Sequence, residues 1–264
     1  MPLMHVTINS AVLYALAFLL TTILHELGHA FTGALLGSEP VLHHNFVEHR
    51  STGHLSSGQE IAIALAGPLT SLLQGLIIGF VFLKSKKRSL TELFLLWWAV
   101  LGFANFLGYL MTGPVFTDGD IGKVFDTAGT AVWVRIVLAV VGAGLLLFIA
   151  YKMTRPFLEF SPRAEWLDNG ASRKKFSLHS LILPWLIGSA LITLLYLPVI
   201  AIVSIIYPVM SGMVFIFPWQ NAVNPKGITP ALNARIERTS AAAVILLVVV
   251  AGVFRLILAP GIQL

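Results

Sequence analysis

The chain from Asn9 to Leu36 reads NSAVLYALAFLLTTILHELGHAFTGALL, a largely apolar run around the pentapeptide His25-Glu26-Leu27-Gly28-His29. A run of this length predicts a helix that crosses a membrane. On an α-helix, residues four apart lie on one face, so His25 and His29 are placed to bind one metal ion with Glu26 beside them. Ionisable residues inside a spanning helix are unfavourable and are typical of a functional site.

The composition extends this interpretation to the whole chain. Of the 264 residues, 57% are hydrophobic and 11% are charged, a balance far from that of soluble proteins. We predict an all-α polytopic membrane protein with about six transmembrane helices. Their expected positions are about residues 9–36, 61–83, 93–112, 131–151, 181–206 and 240–259.

The absence of cysteine limits the possible metal ligands, and the distribution of charge limits the possible partners. The chain has no cysteine, so disulfides and thiolate ligands are excluded and any metal must be bound by His and carboxylate side chains. The basic residues lie beside the apolar spans, so we attribute the net charge of +5 to membrane orientation and expect the lipid bilayer, and no nucleic acid, as a partner. Eleven of the 17 basic residues lie on the side that holds both termini, which predicts cytoplasmic termini.

A third metal ligand is expected after the third span. A catalytic zinc ion normally has three protein ligands and one open position. Residues 112–120 read TGPVFTDGD and lie on the same side of the membrane as the nearer end of the first span. Pro114 ends the helix, and we predict Asp118 as the third ligand. The alternative is that Asp118 belongs to an ordinary surface turn, as Asp-Gly pairs often do.

Small residues recur every four positions along the second span, at Gly67, Ser71, Gly75 and Gly79. This spacing lets helix backbones approach closely in a membrane. We therefore expect the second span to pack against the helix that carries His25 and His29.

These motifs together resemble those of the site-2 protease family of intramembrane zinc metalloproteases. The resemblance covers about residues 9 to 125 and depends on His25 to His29, Ala66-Gly67-Pro68 and Asp118-Gly119. It implies Zn2+ as the cofactor, with His25, His29 and Asp118 as ligands and Glu26 as the catalytic base. It also implies a zinc metalloendopeptidase whose substrates are transmembrane helices of other membrane proteins.

The same resemblance predicts the organisation and location of the chain. We expect a catalytic core of three spans in residues 1–130 and a C-terminal region of three spans in residues 131–264, within a multi-pass protein of the bacterial cytoplasmic membrane. The chain departs from the family pattern at Ser71 and Met111, where members often carry asparagines that position the scissile carbonyl. The oligomeric state is not defined by the sequence.

Two other functions fit parts of the sequence. A di-iron desaturase or hydroxylase also binds metal through membrane histidines, and His43, His44 and His49 offer further ligands, but only His179 lies beyond His54. A non-catalytic membrane scaffold with a vestigial metal site is the third possibility. Such a scaffold would not need Glu26, because a purely structural zinc ion requires no neighbouring base.

Overall fold

The computed structural model describes residues 2–197, 203–231 and 235–264. Six helices in these ranges are long and apolar enough to cross a membrane. They are Pro2–Leu35, Ser57–Lys84, Leu90–Thr112, Val132–Leu158, Gly170–Leu195 and Ala241–Leu258. The prediction of an all-α polytopic membrane protein with six spans is confirmed.

The elements are numbered in chain order. The long helices are α1 (Pro2–Leu35), α2 (Ser57–Lys84), α3 (Leu90–Thr112) and α5 (Val132–Leu158). The fifth span joins α6 (Gly170–Ser177) to α7 (Leu183–Leu195) through a wider helical turn at Leu178–Ile182, and α10 (Ala241–Gly252) continues similarly through Val253–Leu258. Shorter helices are α4 (Asp120–Thr127), α8 (Val203–Met210) and α9 (Ile216–Asn221), with single 3-10 turns at Ala164–Trp166, Met213–Phe215 and Arg235–Glu237.

A small antiparallel sheet follows α1. Its strands are β1 (Pro40–Leu42), β2 (Val47–His49) and β3 (Ile262–Gln263), in the order β2-β1-β3. Val41 pairs with Glu48 on one side and with Gln263 on the other. Ile262 and Gln263 therefore lie beside the loop that follows α1.

The fifth span differs from its predicted bounds of 181–206. Its helix begins at Gly170, because the side chain of Asn169 caps it by accepting a hydrogen bond from the Ser172 backbone N–H at 2.9 Å. Basic residues that the composition assigned to a loop therefore lie in the first turns of a helix. The helix ends at Leu195, and residues 198–202 of the predicted span lie outside the described residues.

The chain forms two compact units, each built from separate stretches. The first comprises Met1–Phe18, Ile78–Val100 and Leu147–Val249, and the second comprises Leu19–Ile77, Leu101–Leu146 and Val250–Leu264. These units are defined by contacts in space. The division into 1–130 and 131–264 concerns motifs along the chain, and it stays a prediction.

The first unit is organised around the buried indole of Trp97. Its ring packs edge-on against Tyr14, Phe157 and Phe215, with centroids 5.0, 4.8 and 5.2 Å away. The indole N–H donates to Ser10 Oγ at 2.9 Å, so the one polar atom of the ring has a partner. This cluster fixes the helices that contribute to it.

Close backbone contacts hold the helices of the second unit together. A Cβ added at Gly28 of α1 would lie 2.7 Å from the Ala66 carbonyl oxygen of α2, and one added at Gly102 of α3 would lie 2.7 Å from the Ser71 carbonyl oxygen. Gly75 faces the ring of Phe103 in α3. The prediction that the second span packs against the helix that carries His25 and His29 is thus confirmed, with small residues from all three helices at the contacts.

Candidate metal centre

The two histidines of the pentapeptide belong to a buried cluster of side chains in the second unit. Their side chains are 3% and 9% exposed. The Nε2 atoms of His25 and His29 lie 3.1 Å apart, as the spacing of four residues on α1 predicts. The ring of Tyr109, from α3, stacks on His25 with centroids 5.2 Å apart and planes 12° apart.

Asp120 completes the cluster. Its Oδ2 lies 2.9 Å from His25 Nε2 and 3.3 Å from His29 Nε2. In the part of the chain that the structure describes, these three side chains are the group of His and acidic residues whose atoms could hold a metal ion. Burial alone would raise the pKa of Asp120, but the two adjacent imidazoles hold that pKa below its ordinary value, so the group is a carboxylate.

The third member of the cluster is therefore Asp120 and not Asp118, the ligand expected from the sequence. Asp118 lies exposed in the turn before α4. That turn is closed by a hydrogen bond from the Gly119 N–H to the Phe116 carbonyl oxygen at 3.1 Å, and α4 then begins at Asp120. The start of this helix directs Asp120 towards the histidines and leaves Asp118 at the surface.

Hydrogen bonds to Nδ1 set the tautomers of both histidines. His29 Nδ1 lies 2.7 Å from the Ile63 carbonyl oxygen, which can only accept, so Nδ1 donates. Ser71 Oγ lies 3.2 Å from His25 Nδ1 and can accept from it while donating to the Gly67 carbonyl oxygen at 3.3 Å. When the imidazoles are neutral, as metal coordination requires, the lone pair of each is at Nε2 and faces the cluster.

The cluster fits a zinc ion in donor type and spacing. Two imidazole nitrogens and a carboxylate oxygen lie 2.9 to 3.3 Å from one another. In a tetrahedral site with ligand bonds of about 2.0–2.1 Å, the ligand atoms are separated by roughly 3.3 Å. Three lone-pair donors so close in a buried site repel one another unless they share a cation, and a divalent ion satisfies all three where a single proton cannot.

Helix α2 can pass close to the cluster because residue 67 is a glycine. A Cβ at this position would lie 2.2 Å from His29 Nε2 and 2.7 Å from His25 Nε2, closer than side-chain atoms can approach. Only glycine leaves room for both imidazoles against α2. The Ala-Gly-Pro motif noted in the sequence therefore has a direct role in the geometry of the cluster.

Glu26 is buried beside the cluster without belonging to it. The residue is 7% exposed and interacts electrostatically with His25, His29 and Asp120. It is not in the group of ligand atoms that the described residues form. A carboxylate next to a metal site but outside its ligand set is positioned to handle protons.

Sequence reasoning missed three contributors to this site. The carbonyl oxygen of Ile63 carries no sequence signal, and the stacking of Tyr109 on His25 requires knowledge of how α3 packs. Ser71 did carry a signal, since it lies on the small-residue face of the second span four residues after Gly67. That position predicts helix packing, whereas the structure also places its hydroxyl 3.2 Å from His25 Nδ1.

The histidines of the loop after α1 do not belong to the cluster. Among the described residues no second group of three His or acidic side chains could hold a metal, so the further ligands of a di-iron site are not assembled there. The contacts of these histidines are His43 with Phe46, His44 with Phe254, His49 with Ser38 and His54 with the Leu36 carbonyl oxygen.

Comparison with known proteins adds no relative. The chain matches no protein-family model, no curated protein and no solved structure.

Proposed function

We propose that this protein is a zinc-dependent intramembrane endopeptidase that hydrolyses peptide bonds in or near the transmembrane segments of other membrane proteins. One observation carries the proposal: His25 Nε2, His29 Nε2 and Asp120 Oδ2 form a triangle beside the buried carboxyl group of Glu26. The two histidines and Glu26 belong to one helix that is long enough to cross a membrane. With the charge distribution, we also propose the bacterial cytoplasmic membrane as its location, with cytoplasmic termini.

Each group of the cluster has a role in this chemistry. A zinc ion held by the three side chains would lower the pKa of a water molecule and polarise a peptide carbonyl. Glu26 takes a proton from the attacking water and returns it to the leaving amine. Ile63 and Ser71 hold the imidazoles in the tautomer that leaves each Nε2 free to bind metal.

Substrate handling requires more than the cluster. A carbonyl within a transmembrane helix is hydrogen-bonded to its own backbone, so the substrate must unwind before it is attacked. The hydroxyl of Ser71 is already engaged with His25 and the Gly67 carbonyl oxygen. It therefore serves the metal site and leaves the holding of the scissile carbonyl to other groups.

A cleavage assay with matched aspartate variants tests the proposal. The protein is reconstituted in liposomes with a synthetic transmembrane peptide, and products are identified by mass spectrometry. We expect the wild type and Asp118→Ala to cleave the peptide and to bind about one zinc ion per chain. Asp120→Ala should lose both properties.

The same measurements separate the alternative functions. Undiminished cleavage by Asp120→Ala would contradict the proposal. Two iron ions per chain in the purified protein would favour the di-iron desaturase or hydroxylase. Bound zinc without cleavage of any transmembrane peptide would favour the non-catalytic scaffold.

A further inference from the structure

A cavity of about 280 Å³ opens next to the metal centre within the second unit. At about 30 Å³ per water molecule, this volume accommodates roughly nine waters or one long amino-acid side chain. Ile63 connects the cavity to the centre, because it lines the cavity while its carbonyl oxygen accepts a hydrogen bond from His29. The lining residues are His49, Thr52, Leu55, Glu60, Ile63 and Lys123.

The cavity runs along the same helix faces as the metal centre. Glu60, Ile63 and Gly67 are three and four residues apart and share one face of α2, while Asp120 and Lys123 share one face of α4. With a rise of 1.5 Å per residue, Ile63 and Glu60 lie roughly 6 and 10 Å along α2 from Gly67. An extended peptide advances about 3.3 Å per residue, so the cavity lies roughly two to three residues from a bond cleaved at the metal centre.

The two charged side chains that line the cavity, Glu60 and Lys123, are available to bind a ligand. In the described ranges neither Glu60 nor Lys123 forms an ion pair within 4 Å with another side chain. The start of α2 does not require Glu60, since Ser56 and Gln59 already cap it with reciprocal hydrogen bonds of 2.9 and 3.4 Å. The Glu60 carboxylate is therefore available to a ligand.

Glu60 is the charged group best fixed in the cavity. It is partly buried at the end of a rigid helix, whereas Lys123 is exposed and its long stem reaches into solvent. His49 also lines the cavity, and its Nδ1 already lies within hydrogen-bond distance of Ser38 Oγ, at 2.7 Å. The remaining polar group, the hydroxyl of Thr52, is able to accept a hydrogen bond.

We infer that this cavity is a subsite for a basic side chain of the substrate, a lysine or arginine two to three residues from the scissile bond. The ammonium or guanidinium group binds the Glu60 carboxylate, and its aliphatic stem packs along Leu55 and Ile63. The inference rests on the proposed function and adds a substrate preference to it.

A binding experiment tests the subsite without requiring catalysis. Because the chain has no cysteine, Thr52→Cys places a single reporter thiol in the cavity. In a Glu26→Gln background, the thiol is modified with a methanethiosulfonate reagent in the presence of synthetic transmembrane peptides. Each peptide carries one Lys, Glu or Leu, which is moved through successive positions near its centre.

The peptide series has a defined expected result. We expect peptides with Lys at one or two positions to slow the modification about tenfold more than their Glu or Leu counterparts, a difference of about 1.4 kcal/mol. Adding Glu60→Gln should remove this difference, and adding Lys123→Gln, the matched control, should retain it. Equal protection by all peptides, or stronger protection by the Glu peptides, would overturn the inference.

Cleavage then separates the subsite from the function. In the wild type, the value of kcat/KM should be about tenfold higher for the protected Lys peptide than for its Glu counterpart, and Glu60→Lys should reverse the preference. Cleavage without any Lys preference would refute the subsite alone. Selective Lys protection without cleavage by the wild type would refute the protease function while retaining a site for basic peptides.

Discussion

Replacing Gly67 with alanine should disable the proposed metal centre without altering any of its three side chains. The added Cβ would lie 2.2 Å from His29 Nε2, and ordinary van der Waals contact begins at 3.4 Å, so the imidazole must move by about 1.2 Å. Metal sites tolerate ligand displacements of only about 0.2 Å. His25 is displaced as well, because its Nε2 would lie 2.7 Å from the same atom.

We expect Gly67→Ala to lower the affinity for zinc by about 100-fold or more. Mutation of residues that merely hydrogen-bond to metal ligands already lowers metal affinity by about 10- to 100-fold, and this change displaces the ligands themselves. It is measured by competition with a chromophoric chelator on protein purified in detergent. Gly108→Ala is the matched control, because a Cβ at that position of α3 meets no atom within 4 Å. Circular dichroism verifies that both variants keep their helices. Wild-type affinity in Gly67→Ala would refute binding of the metal by these imidazoles.

Two further predictions concern the surroundings of the centre. The Gln74 amide donates to Thr21 Oγ1 at 2.8 Å between α2 and α1, so Gln74→Leu should lower the free energy of unfolding in detergent by about 0.6 kcal/mol. Thr21→Val added to Gln74→Leu should then cost little more, and full additivity of the two losses would contradict a direct interaction. Burial, with Arg255 and His43, lowers the pKa of His44 from 6.5 to about 4. Between these pH values the unfolded chain therefore binds a proton that the folded loop does not. The protection of β1 and β2 amides against hydrogen exchange should fall as the pH drops from 6.5 towards 4. Replacing His44 with phenylalanine should abolish this fall.

Local sequence patterns were sufficient for the spans and for two of the three side chains in the candidate metal centre. Hydropathy over a span-length window depends only on neighbouring residues, and the spacing of His25 and His29 fixes their relation on any helix. The packing of the second span on α1 was also predictable, because small residues at intervals of four leave a groove for a neighbouring helix. Its contact with α1 at Gly28 was not anticipated.

The choice between the two aspartates depended on information that local patterns lack. The side chains of residues that are two positions apart on a helix point in directions that differ by about 200°. The residue at which α4 begins therefore decides which of the two carboxylates faces the histidines. Hydropathy does not locate that start, because residues 112–120 contain several turn-forming residues, namely Gly113, Pro114 and Gly119. The bounds of the fifth span had a readable signal in Asn169, a common N-cap, that hydropathy alone overlooked.

The most direct test of the central claim compares the wild type with Glu26→Gln at equal zinc content. Glu26 lies outside the ligand group, so the variant should retain the metal while losing the base that accepts a proton from water. We predict about one zinc ion per chain in both proteins and single-turnover cleavage of a transmembrane peptide that is 10²- to 10⁴-fold slower in Glu26→Gln, a range typical of general-base catalysis. Cleavage by Glu26→Gln at the wild-type rate would contradict the account.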